Sequence, residues 1–252
     1  MRLVPTAETH GCPPVTGPSP GLQRIHVLLT VQTVVIVLAS VNRLSDLTTA
    51  HVPPHEFLRW VDLLNLLVFP LASVVAFYLL KRHLEAGGPR PWQLPLDLAF
   101  LVGVYLLAAS YGVHEVTNYL HARVCDGGAA TASADVCQII VFNDDEFSHW
   151  VFFAGFVLVN AALMLLQVVF PVASSLGLRD RALLVGNGLF IALGVFANLG
   201  FEEIGLDLYV VALLAALSVY LWRRVGTQPL VLYYLTAYCV GLGLTVVKLA
   251  VT

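Results

Sequence analysis

Charge is scarce in this chain. Only 12% of its 252 residues are Asp, Glu, Lys or Arg, against roughly 25% in a soluble domain. That share cannot build a water-facing surface, so lipid is the expected solvent. No basic run and no glycine-rich phosphate loop occurs, and the net charge is −3. Nucleic acid is therefore not an expected partner. Four cysteines are too few for a disulfide scaffold in a chain of this length. No HExxH motif is present, only two methionines occur, and no histidine follows His149. No internal repeat is visible, which argues against an inverted-repeat transporter.

What the sequence does hold is long apolar stretches. The hydrophobic fraction is 58% and the mean hydropathy is +0.83. A helix needs about 20 mostly apolar residues to cross the hydrocarbon core, and helix is required because lipid leaves exposed backbone groups without partners. Seven segments qualify, at about 22–42, 56–80, 95–121, 146–171, 181–199, 207–223 and 228–250. Pro70 is expected to kink the second. The predicted fold is all-α, a single bundle of seven transmembrane helices over 22–252 in a multi-pass cell-membrane protein. Residues 1–21 hold five prolines and three glycines. They are expected to be a flexible cytoplasmic tail without the continuous apolar core of a cleaved signal peptide.

The basic residues set the expected orientation. Arg2, Arg24, Lys81, Arg82, Arg90, Arg179, Arg181, Arg223 and Arg224 fall on one side of the seven spans; Arg43, Arg59, Arg123 and Lys248 fall on the other. By the positive-inside rule the first side is cytoplasmic, so the N-terminus is inside and the C-terminus outside. Of the acids, only Glu8, Glu85, Asp97 and Asp180 share the basic side. Cys125 and Cys137 both lie in the outer loop, about 122–145, where the compartment permits a disulfide. Closing that loop would stabilise it by about 3 kcal/mol.

The polar chemistry gathers between His114 and His149. His114, Asn118 and His121 are spaced to share one helical face, with Glu115 at its border. Asp145 and Glu146 stand one turn before His149, which sets carboxylates beside an imidazole. Glu202, Glu203 and Asp207 occupy the connection from the fifth to the sixth helix on the same side, and His55, Glu56, Arg59 and Asp62 lie near the outer end of the second. Imidazole with carboxylate suits zinc or iron. The expected divalent-metal ligands are His114, His121, His149, Asp145 and Glu203, and the expected acid–base groups are His149, Glu115 and Asp145. The same residues without metal suit proton, ion or substrate chemistry, and Asp144 and Asp145 alone suit a helix start as cap and dipole partners.

The Asp145-x-x-x-His149 spacing resembles part of the metal motif in a subunit of membrane copper monooxygenases, but no downstream histidine completes it. Seven spans with His, Asp and Ser resemble the alkaline ceramidase-like hydrolases, but residues 228–252 lack the histidine pair that this resemblance requires. No family is assigned on these grounds. The functional expectation is a metal-assisted membrane enzyme with an outward-facing His/carboxylate site, acting on lipid or another membrane-associated substrate. An ion or small-solute transporter, a sensor, or a structural subunit of a membrane complex remains the alternative.

The orientation has a direct test. In a cysteine-free background, Gly88→Cys, Ala130→Cys and Thr227→Cys are treated singly with an impermeant thiol reagent in intact cells. Labelling is expected at 130 alone; labelling at 88 or 227 with none at 130 would invert the arrangement.

Overall fold

The structure, a computed structural model, describes residues 20–54, 56–125, 133–172, 175–201 and 205–251. Among them it is helical with no strands, and seven helices are long and apolar enough to cross a membrane: α1 Gly21–Leu44, α2 Trp60–Gly87, α3 Gln93–Cys125, α4 Ala134–Val169, α5 Leu178–Leu199, α6 Leu206–Val225 and α7 Pro229–Val251. This is the outline of a membrane protein. Large apolar side chains stand exposed along the flanks, among them Leu71, Tyr78, Leu101, Tyr105, Val247 and Leu249. In water such surface would be unfavourable; in lipid it is the ordinary boundary. The N-terminal stretch read as a tail lies, up to residue 19, outside the described residues.

Two helix pairs form the frame. α3 and α4 pack along their length, α5 and α7 do the same, and α1 bridges α2 and α5 while α6 lies against α4 and α7. Apolar burial does not drive such pairing in lipid, so close van der Waals contact through small residues has to. Gly103 and Gly155 supply it for α3 and α4. A Cβ on Gly155 would stand 2.8 Å from both Gly103 O and Leu107 N, and one on Gly103 would stand 2.9 Å from Val159 N. Gly188 and Gly241 serve α5 and α7, where added Cβ atoms would meet Tyr233 O at 2.8 Å and Val195 Cγ1 at 2.7 Å. Register rises together along α5 and α7 and in opposite senses along α3 and α4, so the first pair is parallel and the second antiparallel.

Buried polar side chains join the helices where glycine does not. Gln32 Nε2 donates to Ser73 O at 2.6 Å and Ser73 Oγ returns a bond to Gln32 Oε1 at 2.8 Å, linking α1 to α2. Asn187 Nδ2 donates to Thr30 Oγ1 at 3.1 Å between α5 and α1, and Asn42 Nδ2 to Asn65 Oδ1 at 3.0 Å between α1 and α2. Asn160 differs, donating to Phe156 O of its own helix. At the basic end Lys81 Nζ lies 2.6 Å from both Glu85 Oε1 and Asp97 Oδ1, tying α2 to α3. His26 Nε2 meets Asp180 Oδ1 at 3.0 Å between α1 and α5. Bonds of this kind between membrane helices average about 0.6 kcal/mol, so they fix register more than they supply stability.

Three helical segments wind with five-residue spacing in place of four. Leu64–Val68 does so ahead of Pro70, where Phe69 N–H bonds Leu64 O, so the expected kink takes the form of a wider turn. His121–Cys125 ends α3, and Phe142–Phe147 interrupts α4, with Ser148 N–H on Asn143 O. Because α3 runs to Cys125 and α4 begins at Ala134, much of the expected 122–145 loop is helical. The acids Asp144 and Asp145 therefore sit inside a helix and not at its start; Ser133 is the cap, its side chain accepting from Val136 N–H.

The close pairing predicts a steric test. Gly155→Val and Gly188→Val each force backbones apart, an overpacking cost of about 1–3 kcal/mol or more. Thermal unfolding in detergent should shift down in both, whereas Gly112→Ala, with open space around it, should unfold as the parent does. Equal melting temperatures for all three variants would refute the packing account.

Candidate functional site

The acidic end of α3 and α4 brings polar groups together because the two helices are already in contact there. Ser110 Oγ on α3 donates to Ser148 O on α4 at 2.8 Å, and Ser148 Oγ donates to Asp144 O at 2.6 Å. Beyond this pair of serines the wide turn begins. Regular winding would place Asp145 on the face of His149; the extra residue per turn brings Asp144 round to α3 instead. Asp144 is only 1% exposed, and Asp145 is exposed.

Asp144 collects donors from α3. His121 Nδ1 lies 3.1 Å from Asp144 Oδ2, and a longer contact comes from Asn118 Nδ2 at 3.5 Å; Thr117 Oγ1 is nearby but donates to Val113 O of its own helix at 2.8 Å. The side chain of Asp145 adds a second carboxylate. One ligand atom from each of His121, Asp144 and Asp145 lies within 4.8 Å of the others. Ligands bound at about 2.0–2.2 Å in a tetrahedron stand about 3.4 Å apart, so the set would have to draw together to hold one ion.

His114 and Glu115, one to two turns deeper on α3, belong to a different group. Arg43, near the end of α1, forms an ion pair through Nη2 with Oε1 of the buried Glu115. The same Nη2 lies 3.5 Å from His114 Nδ1. Arginine only donates, so His114 Nδ1 accepts and the ring proton is assigned to Nε2. A cation bound at His114 would stand beside a guanidinium, which separates His114 and Glu115 from the His121 cluster electrostatically as well as in space. The ring of His149 lies against that of His114, centroids 5.1 Å apart and planes at 30°. Both rings line a cavity of about 220 Å³ with Arg43, Ser110, Tyr111, Phe152, Phe153 and Asn198. Asp207, at the start of α6, is buried; its Oδ1 accepts from Leu208 N at 2.8 Å, and its Oδ2 has no hydrogen-bond partner among the described residues.

The expected site residues thus divide. His121 and Asp145 meet with Asp144; His114, Glu115 and His149 gather around Arg43; Glu202, Glu203 and His55 lie outside the described residues. Glu146 is exposed. Asp62 is held by Arg59 through bonds of 2.9 and 2.8 Å, and this carboxylate raises the pKa of the Arg59 guanidinium above its usual value. Sequence reading did not single out Arg43 for a role or place Asp144 in the metal set. Arg43 had one signal, a lone basic residue at the otherwise acidic end of a span. Asp144 had none, because helical periodicity favours its neighbour.

The sulfur atoms of Cys125 and Cys137 are at disulfide distance, with Cα atoms 5.6 Å apart. This link ties the wide last turn of α3, which begins at His121, to the first turns of α4. Comparison with protein-family models, with curated proteins and with solved structures finds no match to this chain.

The cross-link is open to measurement. Unreduced peptide mapping should recover the 125–137 pair, and Cys125→Ser/Cys137→Ser should lower thermal stability by about 2–4 kcal/mol. Free thiols at both positions in freshly isolated membranes would contradict it.

Proposed function

We propose that this chain is a multi-pass cell-membrane protein, N-terminus inside and C-terminus outside, whose outward-facing His/carboxylate site holds a divalent cation and assists a reaction on lipid or another membrane-associated substrate. The observation that carries this reading is the convergence of His121, Asp144 and Asp145. One imidazole and two carboxylates suit zinc or iron. Such an ion, when bound, polarises a carbonyl or phosphoryl oxygen and lowers the pKa of a bound water. Asn118 orients Asp144, as outer hydrogen bonds orient ligating carboxylates generally.

The cavity between His114 and His149 supplies the substrate side. Seven residues separate His114 from His121, about 10 Å along the helix, so the cavity lies deeper between the spans than the cation site. A membrane-borne substrate seated there would have to extend its reacting oxygen from the cavity up to the cation, which acts only on an atom that it touches. His149 is the general acid–base candidate there. Lys81, Glu85 and Asp97, and His26 with Asp180, close on one another in ion pairs at the other end. That supports a one-sided site over a transport path.

Metal content tests the proposal. Full-length protein purified in detergent and equilibrated with zinc is expected to retain about one ion per chain, and His121→Ala and Asp144→Asn to lose most of it while keeping the parent's elution profile. A parent without zinc or iron, or variants that bind as the parent does, would overturn the cation site.

A further inference from the structure

We infer that the cavity at Arg43, His114 and His149 is an oxyanion site that takes the phosphoryl or carboxyl head of an amphiphile. This rests on the reading of the cavity as the substrate side of the outward-facing site. The donors carry it. All the hydrogen bonds of Arg43 run through Nη2; Nη1 and Nε make none among the described residues, and the side chain is 47% exposed. Glu115, 4% exposed at its side chain, takes one Nη2 hydrogen and holds the guanidinium in place, while Nε and Nη1 make no hydrogen bond among the described residues. Their N–H groups can each donate to an oxygen of a phosphoryl or carboxyl group. His114, accepting at Nδ1, keeps a proton on Nε2 for donation. The set offers hydrogens to oxygen and is poorly suited to a metal, because Arg43 already supplies the cation.

The surroundings favour a lipid as the carrier of that oxyanion. At about 220 Å³ the cavity is smaller than the roughly 300–1,000 Å³ that encloses a whole small ligand. It fits a head-group whose remainder lies elsewhere. Phe152 and Tyr111, packed edge to face with centroids 5.9 Å apart, wall one side with apolar surface. Acids crowd the same end of the molecule and disfavour the approach of free anions from water. Lateral entry from the bilayer spares an amphiphile that approach through water.

The experiment uses the full-length protein in detergent after chelator treatment, so that the cation site is empty. Binding of dioctanoyl phosphatidic acid, dioctanoylglycerol and inorganic phosphate is measured by native mass spectrometry. The parent should bind phosphatidic acid at least about tenfold more tightly than the neutral diacylglycerol. Arg43→Gln/Glu115→Gln removes both charges without stranding either, and should erase that preference. Arg43→Lys keeps the ion pair but loses the Nε and Nη1 donors, and should weaken phosphatidic acid binding by about tenfold. Inorganic phosphate binding as tightly as phosphatidic acid would uphold the oxyanion and overturn the lipid source. Equal affinity of the parent for the two lipids, or an undiminished preference in both Arg43 variants, would overturn the inference. Asp144→Asn should bind phosphatidic acid as the parent does, so failure of the cation site and failure of the oxyanion site give different results.

Discussion

The backbone contact of α3 with α4 at Gly103 and Gly155 is what the acidic end depends on. In lipid two helices gain little by burying apolar side chains against each other, so they associate where small residues let backbones touch. Here the contact lies near mid-span and continues outward through Ser110 on Ser148 O. The contacts of Asp144 with α3 follow from it. If α3 and α4 stood farther apart, Asp144 would face the bilayer as an unpaired carboxylate, and His121 and His149 would belong to separate surfaces. The cross-link at Cys125 and Cys137 and the parallel pair α5–α7 hold this arrangement from its end and its flank.

A second constraint is that charge inside a membrane protein must be paired. Breaking one partner of a buried ion pair costs about 3–5 kcal/mol, and three groups of ions in the bundle close on each other, whereas the buried Asp207 meets no cation among the described residues. Lys81 answers Glu85 and Asp97, Asp180 answers His26, and Arg43 answers Glu115. The last of these pairs differs from the rest, because its cation is half exposed and sits on a cavity. Pairing that is structural at the basic end therefore leaves a usable donor at the acidic end. The two groups proposed for function differ in sign: carboxylates with one imidazole for a cation, and a guanidinium with an imidazole N–H for an oxyanion, two turns deeper.

Much of the fold was legible in the sequence because the bilayer is a simple solvent. A span of about 20 apolar residues has one structural answer, and all seven segments expected from hydropathy correspond to α1–α7. The Cys125 and Cys137 pairing was legible from their spacing and polar connection. The site was legible only as a neighbourhood. Helical periodicity assumes four-residue turns, so it paired Asp145 with His149 and missed that a wide turn at Phe142–Phe147 buries Asp144 instead. It also placed His114 and His121 on one face as joint ligands. What separates them is Arg43, distant in sequence and brought in by the packing of the bundle, and no local pattern reports that contact. The helical extension of α4 back to Ala134 was hidden for a related reason: the segment 134–145 mixes acids with apolar residues and reads as loop until the cross-link and the Ser133 cap are taken into account.

Anomalous X-ray diffraction at the zinc absorption edge, from crystals of the full-length protein grown with zinc, addresses the account most directly. The result expected is a single strong peak within about 2.0–2.2 Å of a ring nitrogen of His121 and a carboxylate oxygen of Asp144, with none at His114. A peak between His114 and His149, or no peak at this end of the molecule, would contradict it.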